Sequence, residues 1–258
     1  VVSDLPVVIF DLDDTLIADV AARDAAVRQI ADLLDAPSLG PTILENARRC
    51  WRGTHCRQLP AMTGVSSWEA LWTDFGTERA DIADEGQRYR LRVWQETLDG
   101  LGRRTDITAE ELDVQYARIR RSSVVPVSGA VDVLSRLAAT HQLWLATHGS
   151  SSLQREKLSL LGMTDLFGEV FISGEIGSTK ASPPVVNLIQ KRLRRNGLSV
   201  CGVIGDSIES DMALARAGSW PGIHLCSGQL EESCRRAVPD ATHINDLAQV
   251  LLPCADSR

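Results

Sequence analysis

Lysine is scarce in this chain. Of 27 basic residues only Lys157, Lys180 and Lys191 are lysines, and arginine supplies the rest, so a lysine in a meaningful place stands out. Aromatic residues make up only 5% of the 258 positions. No apolar run approaches the roughly 20 residues that a membrane-spanning helix needs, so no membrane partner is expected. The first apolar run lacks a basic segment before it and ends in three aspartates, so it is not expected to be a signal peptide. Internal repeats, low-complexity linkers and C-x-x-C pairs are missing too. Six cysteines (Cys50, Cys56, Cys201, Cys226, Cys234, Cys254) are scattered along the chain. In a chain long enough for a full core they read as reduced thiols of a cytoplasmic protein. An excess of positive charge is absent as well. The net charge is −7 and the pI about 5.3, which argues against a nucleic-acid polymer as a partner. What is present is ordinary globular composition, 44% apolar and 24% charged, with length enough for one large domain or two smaller ones.

Five short apolar runs predict strands: Val7 to Phe10, Leu143 to Ala146, Val170 to Ile172, Val200 to Ile204 and Ile223 to Cys226. They do not alternate with polar residues, which suits strands buried on both faces of a parallel sheet. Helical patterns follow the later strands: Ser152 to Leu161, Pro183 to Arg195, and Glu209 to Ala217 before Gly218. The alternation predicts an α/β, Rossmann-like parallel sheet core. The interval 17–125 differs. It carries helical periodicity at Val20 to Leu34, Asp81 to Leu98 and Ala109 to Ser122, and no convincing strand. It predicts an inserted α-helical domain, with the sheet core formed by residues 1–16 and 126–258.

Ligands of parallel α/β sheets bind at the carboxyl ends of the strands. The residues expected there are Asp11, Asp13 and Asp14 after the first strand, Thr147 after the second, Lys180 beyond the third, and Asp206 with Asp211 after the fourth. Carboxylates converging on one point repel each other unless a hard cation joins them, and oxygen ligands select Mg²⁺. A Mg²⁺ site beside one ammonium and one hydroxyl suits a phosphoryl group, whose oxygens those groups neutralise and bind.

These residues also form motifs. Asp11-Leu12-Asp13-Asp14-Thr15-Leu16 resembles the D-x-D-x-T-L/V motif of the haloacid-dehalogenase-like (HAD) phosphohydrolases. Thr147-His148-Gly149 is similar to that family's T-N-G, Lys180 stands where its motif lysine belongs, and Gly205 to Asp211 is similar to G-D-S-x-x-x-D. The resemblance implies a Mg²⁺-dependent phosphatase acting on a small phosphorylated metabolite, as a monomer or homodimer. Asp11 would be the nucleophile that becomes an aspartyl phosphate. Asp13 would be the general acid and then the general base. Asp11, Asp206, the carbonyl of Asp13 and Asp211 would hold or brace the metal. Thr147, the amide of His148 and Lys180 would hold phosphoryl oxygens. A carboxylate at position 13 disfavours carbon–halogen cleavage, which has no alkoxide to protonate. A phosphomutase with the same core residues, or a non-catalytic HAD-like binding protein, stays open as an alternative. The insertion would be a helical cap that excludes water and selects the leaving group. The stretch from Val127-Ser128-Gly129 through Gln154, with Thr-His-Gly-Ser and a Gln seven residues past the Thr, most resembles a branch with pyrimidine nucleotidases and the N-acylneuraminate-9-phosphate phosphatase. Two positions depart from the family pattern: His148 replaces Asn, and Ala181 replaces the Pro after the motif lysine.

Other features have plainer readings. Arg48, Arg49, Arg52, His55 and Arg57 form either a substrate-facing basic patch or, preferably, a solvated helix face. Trp68 and Trp72 are spaced to pack between helices, with base stacking as the alternative. Cys50 and Cys56 lack the further ligands of a zinc pattern. His55, His141, His224 and His243 have no partner legible in the sequence.

Overall fold

The computed structural model describes residues 5–226 and 232–252; Cys254 lies outside them. Its core is a parallel sheet in the order β3-β2-β1-β4-β5-β6. The strands are β1 (Val7–Phe10), β2 (Gln142–Thr147), β3 (Glu169–Ile172), β4 (Val200–Gly205), β5 (Gly222–Leu225) and β6 (Thr242–Ile244). β1 is central and its four residues are fully buried. Val8 and Phe10 enter one apolar layer with Leu134, Leu145 and Ile204, while Val7 and Ile9 enter the opposite layer with Trp144, Ile189 and Val203. A strand that feeds two cores has no polar face to show, which explains the unbroken apolar run.

β6 was not among the expected strands. It is three residues long, has the sequence Thr-His-Ile, and is an edge strand whose first residue is exposed. So short and polar a segment has no periodicity to detect. It becomes a strand by pairing with β5, His243 standing opposite His224.

The helices run in chain order as α1 (Asp19–Leu33), α2 (Gly40–Arg52), α3 (Ser67–Ala70), α4 (Phe75–Glu78), α5 (Ala83–Asp99), α6 (Ala109–Ser122), α7 (Ala130–Ala138), α8 (Ser151–Leu160), α9 (Ser173–Ile176), α10 (Pro183–Asn196), α11 (Ala213–Gly218) and α12 (Glu232–Ala237). α7 and α10 cover opposite faces of the sheet. Val133, Leu134 and Leu137 of α7 join the first layer, and Val185, Ile189 and Leu193 of α10 join the second. The expected helix at Glu209 to Ala217 is composite: a wide π turn over Ile208–Met212 precedes α11.

α1 to α6 gather around a third apolar cluster of their own, containing Trp51, Trp72, Phe75, Tyr89, Trp94 and Tyr116. α5 packs between α2 and α6, and α1 lies against α6. α3 and α6 start with reciprocal capping boxes, Ser66 with Glu69 and Thr108 with Glu111. The chain leaves the sheet at residues 16–18 and returns at residues 125–127. The two crossings pair antiparallel, with Ala18 N donating to Val125 O (3.2 Å) and Val127 N to Leu16 O (2.9 Å).

Gly86 lies in the middle of α5, where a Cβ would stand 2.2 Å from the Phe75 ring. In an exposed helix Gly→Ala gains about 1 kcal/mol, but overpacking a filled core costs about 1–3 kcal/mol. The ring is buried and cannot retreat. Gly86→Ala is therefore expected to lower stability, by on the order of 1 kcal/mol net, in a urea melt followed by tryptophan fluorescence.

Candidate active site

The strand order reverses between β1 and β4, and the polar residues of the site stand at the carboxyl ends of these strands and of β2. The chain turns sharply after β1. Asp14 takes a left-handed conformation (φ 58°), which a short polar side chain tolerates, and its carboxylate accepts the Val20 N–H (2.9 Å). Asp14 thus serves the turn. The same turn leaves Asp11 and Asp13 at the end of the sheet with their side chains in two different settings.

Asp11 enters a carboxylate cluster. It, Asp206 and Asp211 each offer an oxygen, and these oxygens lie within 4.8 Å of one another. The Lys180 ammonium bonds Asp11 Oδ1 and Asp211 Oδ1, the latter at 2.6 Å. Thr15 Oγ1 donates to Asp11 Oδ2 (3.2 Å) and accepts from Asp206 N (3.1 Å), tying β1 to β4. Asp211 arrives from the π turn, where the N–H groups of Asp211 and Met212 both reach Ser207 O, and its Oδ2 accepts the Ser207 N–H (3.0 Å). It lies so close to Gly205 that a Cβ there would stand 2.2 Å from the carboxyl carbon. Burial raises Asp11 and Asp206 to about 7 each, with Asp211 adding repulsion. Three carboxylates face a single buried ammonium, leaving a surplus of negative charge that a hard divalent cation matches in charge and ligand type. The donor set therefore fits Mg²⁺.

Asp13 turns the other way, toward α8. Gln154 Nε2 donates to Asp13 Oδ2 (2.8 Å) and Lys157 Nζ to Asp13 Oδ1 (2.7 Å). Gln154 and Lys157 are three residues apart and share a helix face. Lys157 also bonds Glu69 Oε1 of α3 (2.8 Å) and stands 3.4 Å from Asp19 Oδ1 of α1. Asp19 is bonded by Arg120 of α6 (2.5 Å) and by the Trp68 indole (3.3 Å). The group has three carboxylates and two cations, so the acids outnumber their partners by one. Burial, opposed by Lys157 and helped by Asp19 and Glu69, raises Asp13 to about 8, whereas Lys157 and Arg120 hold Asp19 below its ordinary value. These surroundings favour the protonated form of Asp13.

Thr147 is fully buried at the end of β2, and its hydroxyl accepts from Gln154 Nε2 (3.2 Å). His148 Nε2 accepts the backbone N–H of Lys180 (3.0 Å). Burial and the nearby Lys180 hold that imidazole down at about 4, so it stays neutral and keeps its acceptor lone pair. At the position where the family pattern has Asn, this side chain braces the lysine loop.

The structure brings Asp11, Asp206, Asp211 and Lys180 together, and places Asp13 with Gln154 and Lys157 beside them. Sequence reasoning missed Lys157, Glu69, Asp19 and Arg120. Two signals existed: the rarity of lysine, and the Ser-x-x-Glu capping pattern that orients Glu69. The arginine-rich segment is a solvated face, with Arg48 and Arg49 exposed and paired to Glu45 and Glu96. Trp72 is buried with Arg120 and Lys157 over its ring (5.2 and 5.9 Å), so no nucleobase stacks on it in this arrangement.

A sequence model of the haloacid dehalogenase-like hydrolases matches residues 5–218. The chain belongs to that family. It is similar to the phosphoserine phosphatase of Thermus thermophilus, with 27% identity over 256 residues, 96% of this chain and 98% of that protein. It is also similar to the pyrimidine 5'-nucleotidase YjjG of Escherichia coli, 25% identical over 55% of this chain and 60% of that one. Its fold resembles the magnesium-bound HAD-hydrolase YfnB of Bacillus subtilis, with a TM-score of 0.55 and 19% identity over 86% of this chain and 89% of that chain. No helix among the described residues of this HAD-like hydrolase is long and apolar enough to cross a membrane.

Removing one partner of a buried charge network costs about 3–5 kcal/mol, because the opposite charges stay buried and unpaired. Lys157→Met is expected to lose stability in that range in chemical denaturation. Adding Glu69→Gln to Lys157→Met should recover part of the loss, since it removes the excess carboxylate.

Proposed function

We propose that this HAD-like hydrolase is a Mg²⁺-dependent phosphatase that cleaves phosphoric monoesters of small metabolites through an aspartyl phosphate on Asp11. The observation that carries the reading is the division of labour between two carboxylates two residues apart. Asp11 faces the cation-binding cluster, and Asp13 turns away from it toward Gln154 and Lys157, in surroundings that favour its protonated form. Environments that push two acids into different roles are the mark of a nucleophile and a general acid.

Asp11 and Asp206 would hold Mg²⁺ by their side chains and Asp13 by its backbone carbonyl, with Asp211 completing or bracing the set. Bound Mg²⁺ supplies neutralisation of the phosphoryl oxygens. Asp11 Oδ attacks phosphorus and takes the phosphoryl group. Asp13 delivers its proton to the departing alkoxide oxygen. It then accepts a proton from the water that hydrolyses the aspartyl phosphate and so returns to its starting state. Lys180, the Thr147 hydroxyl and the amide of His148 bind the phosphoryl oxygens. Gln154 and Lys157 aim the Asp13 carboxyl, and His148 aims the Lys180 loop.

Residues 17–125 act as the cap in this reading. Glu69 bonds Lys157, and Ser173 Oγ of the core donates to Thr63 O of the insertion (2.6 Å), so the insertion closes over the site and keeps bulk water out. The full-length likeness to a phosphoserine phosphatase and the occupied faces of Trp72 favour a small phosphorylated acid or alcohol over a nucleotide. A cytoplasmic setting suits the buried thiols Cys50 and Cys56.

Inorganic phosphate release from a panel of phosphoamino acids, sugar phosphates and nucleoside monophosphates tests the proposal. Release should require Mg²⁺ and vanish in Asp11→Asn. Asp13→Asn should slow alkyl esters by about 10²–10⁴-fold and p-nitrophenyl phosphate much less, because that leaving group needs no proton. Turnover only with a bisphosphate primer would indicate a mutase. Mg²⁺ binding without turnover of any ester would indicate a binding protein.

A further inference from the structure

A second group of metal-binding side chains lies at the sheet edge, apart from the carboxylate cluster. His224 and Cys226 are two residues apart and point to the same face, and His243 on β6 stands in register beside His224. Their Nδ1, Sγ and Nδ1 atoms form a triangle. Nδ1 of His224 is 3.3 Å from Nδ1 of His243, and Cys226 Sγ is 3.4 Å from the first and 3.6 Å from the second.

The tautomers follow from the outer hydrogen bonds. His224 Nε2 is 2.8 Å from Asp206 O, and His243 Nε2 is 3.0 Å from Val238 O. A carbonyl oxygen can only accept, so each Nε2 donates outward and each Nδ1 is turned inward, toward the other ring and Cys226. The two Nδ1 atoms and the thiol sulfur thus converge on one point, each able to serve as a ligand atom for a single ion.

We propose that His224, Cys226 and His243 bind one Zn²⁺ ion. Zinc takes nitrogen at about 2.0–2.1 Å and thiolate at about 2.3 Å, so tetrahedral ligands stand about 3.3–3.4 Å apart for two nitrogens and about 3.5–3.6 Å apart for nitrogen and sulfur. The observed edges of 3.3, 3.4 and 3.6 Å match those separations to within about 0.1 Å. Both outer hydrogen bonds fix ring tautomer and orientation, as partners of metal-bound imidazoles do. His224 and Cys226 are buried, which favours a soft thiolate site over hydrated cations. Cys226 also lines a cleft with Asp14, Ser128, Asn245 and Asp246. On binding, the thiol proton passes to solvent and the charge of the ion is partly offset by the thiolate. The site joins β5 to β6. Through His224 it also holds the backbone of Asp206, so zinc at the edge steadies a residue of the carboxylate cluster. The proposal does not rest on the phosphatase reading.

The test uses the whole chain stripped of metal by chelator dialysis. Zn²⁺ content is read by elemental mass spectrometry after gel filtration, and Co²⁺ is used as a coloured replacement. One tightly held Zn²⁺ per chain is expected, unmoved by a large excess of Mg²⁺. Co²⁺ should give a thiolate-to-metal charge-transfer band with the intense visible bands of a tetrahedral ion. Cys226→Ser should abolish the charge-transfer band. His243→Gln should weaken Zn²⁺ binding by more than the ~10–100-fold typical of losing an outer partner. Asp11→Asn should leave Zn²⁺ binding unchanged. Folded wild-type protein that takes up no Zn²⁺, or whose Co²⁺ spectrum lacks the thiolate band, overturns the proposal without recourse to variants. So does a Cys226→Ser protein that keeps the band, which would assign the metal to another cysteine.

Discussion

Carboxylates buried at the ends of parallel strands repel one another, and the site of this hydrolase is organised by how that repulsion is relieved. Two buried lysines do most of it. Lys180 lies between Asp11 and Asp211, and Lys157 lies among Asp13, Asp19 and Glu69. Each ammonium gathers acids from elements far apart in sequence, and neither neutralises its set completely. The residual charge differs in consequence. On the Asp11 side it suits a divalent cation, and on the Asp13 side it favours the protonated acid. One physical constraint therefore yields two environments from neighbouring residues of one turn.

The second environment is shared between the sheet core and the helical insertion. Asp19, Glu69 and Arg120 come from α1, α3 and α6, whereas Asp13 and Lys157 come from the core. The residue we assign as general acid is thus held by a network that exists in full only when the helices rest on the sheet. A cap that moved away would leave Lys157 and Asp13 with water in place of Glu69. Closure over a substrate and preparation of the acid would then be one event, which fits a cap that selects its leaving group by shape.

The far edge of the sheet follows another logic. β6 sends one side chain, Ile244, into the apolar core, pairs with β5, and brings His243 beside His224 and Cys226. A soft cation at that point would supply the stability that a three-residue polar strand lacks. The His224 contact to the Asp206 carbonyl links this edge to the carboxylate cluster through backbone alone.

Much of this molecule was legible from local pattern. The apolar runs of β1 to β5 betray strands covered on both faces. The periodicity of residues 17–125 marks helices. The aspartates, Thr147 and Lys180 stand out because they follow such runs at strand ends, where a parallel sheet places its ligands. Local pattern carries this information because strand burial and helix periodicity are short-range properties. It carries nothing about which distant charges meet. Glu69 and Lys157 are 88 residues apart, and His224 and His243 are 19 apart with opposed rings that no spacing rule encodes. His148 likewise becomes a brace only because the Lys180 loop passes its ring. The sequence by itself determined the sheet, the helical insertion and the inventory of charged groups. The tertiary structure alone decided which acid meets Gln154 and Lys157 and which joins the carboxylate cluster, because that depends on burial and on the charges brought together across the fold.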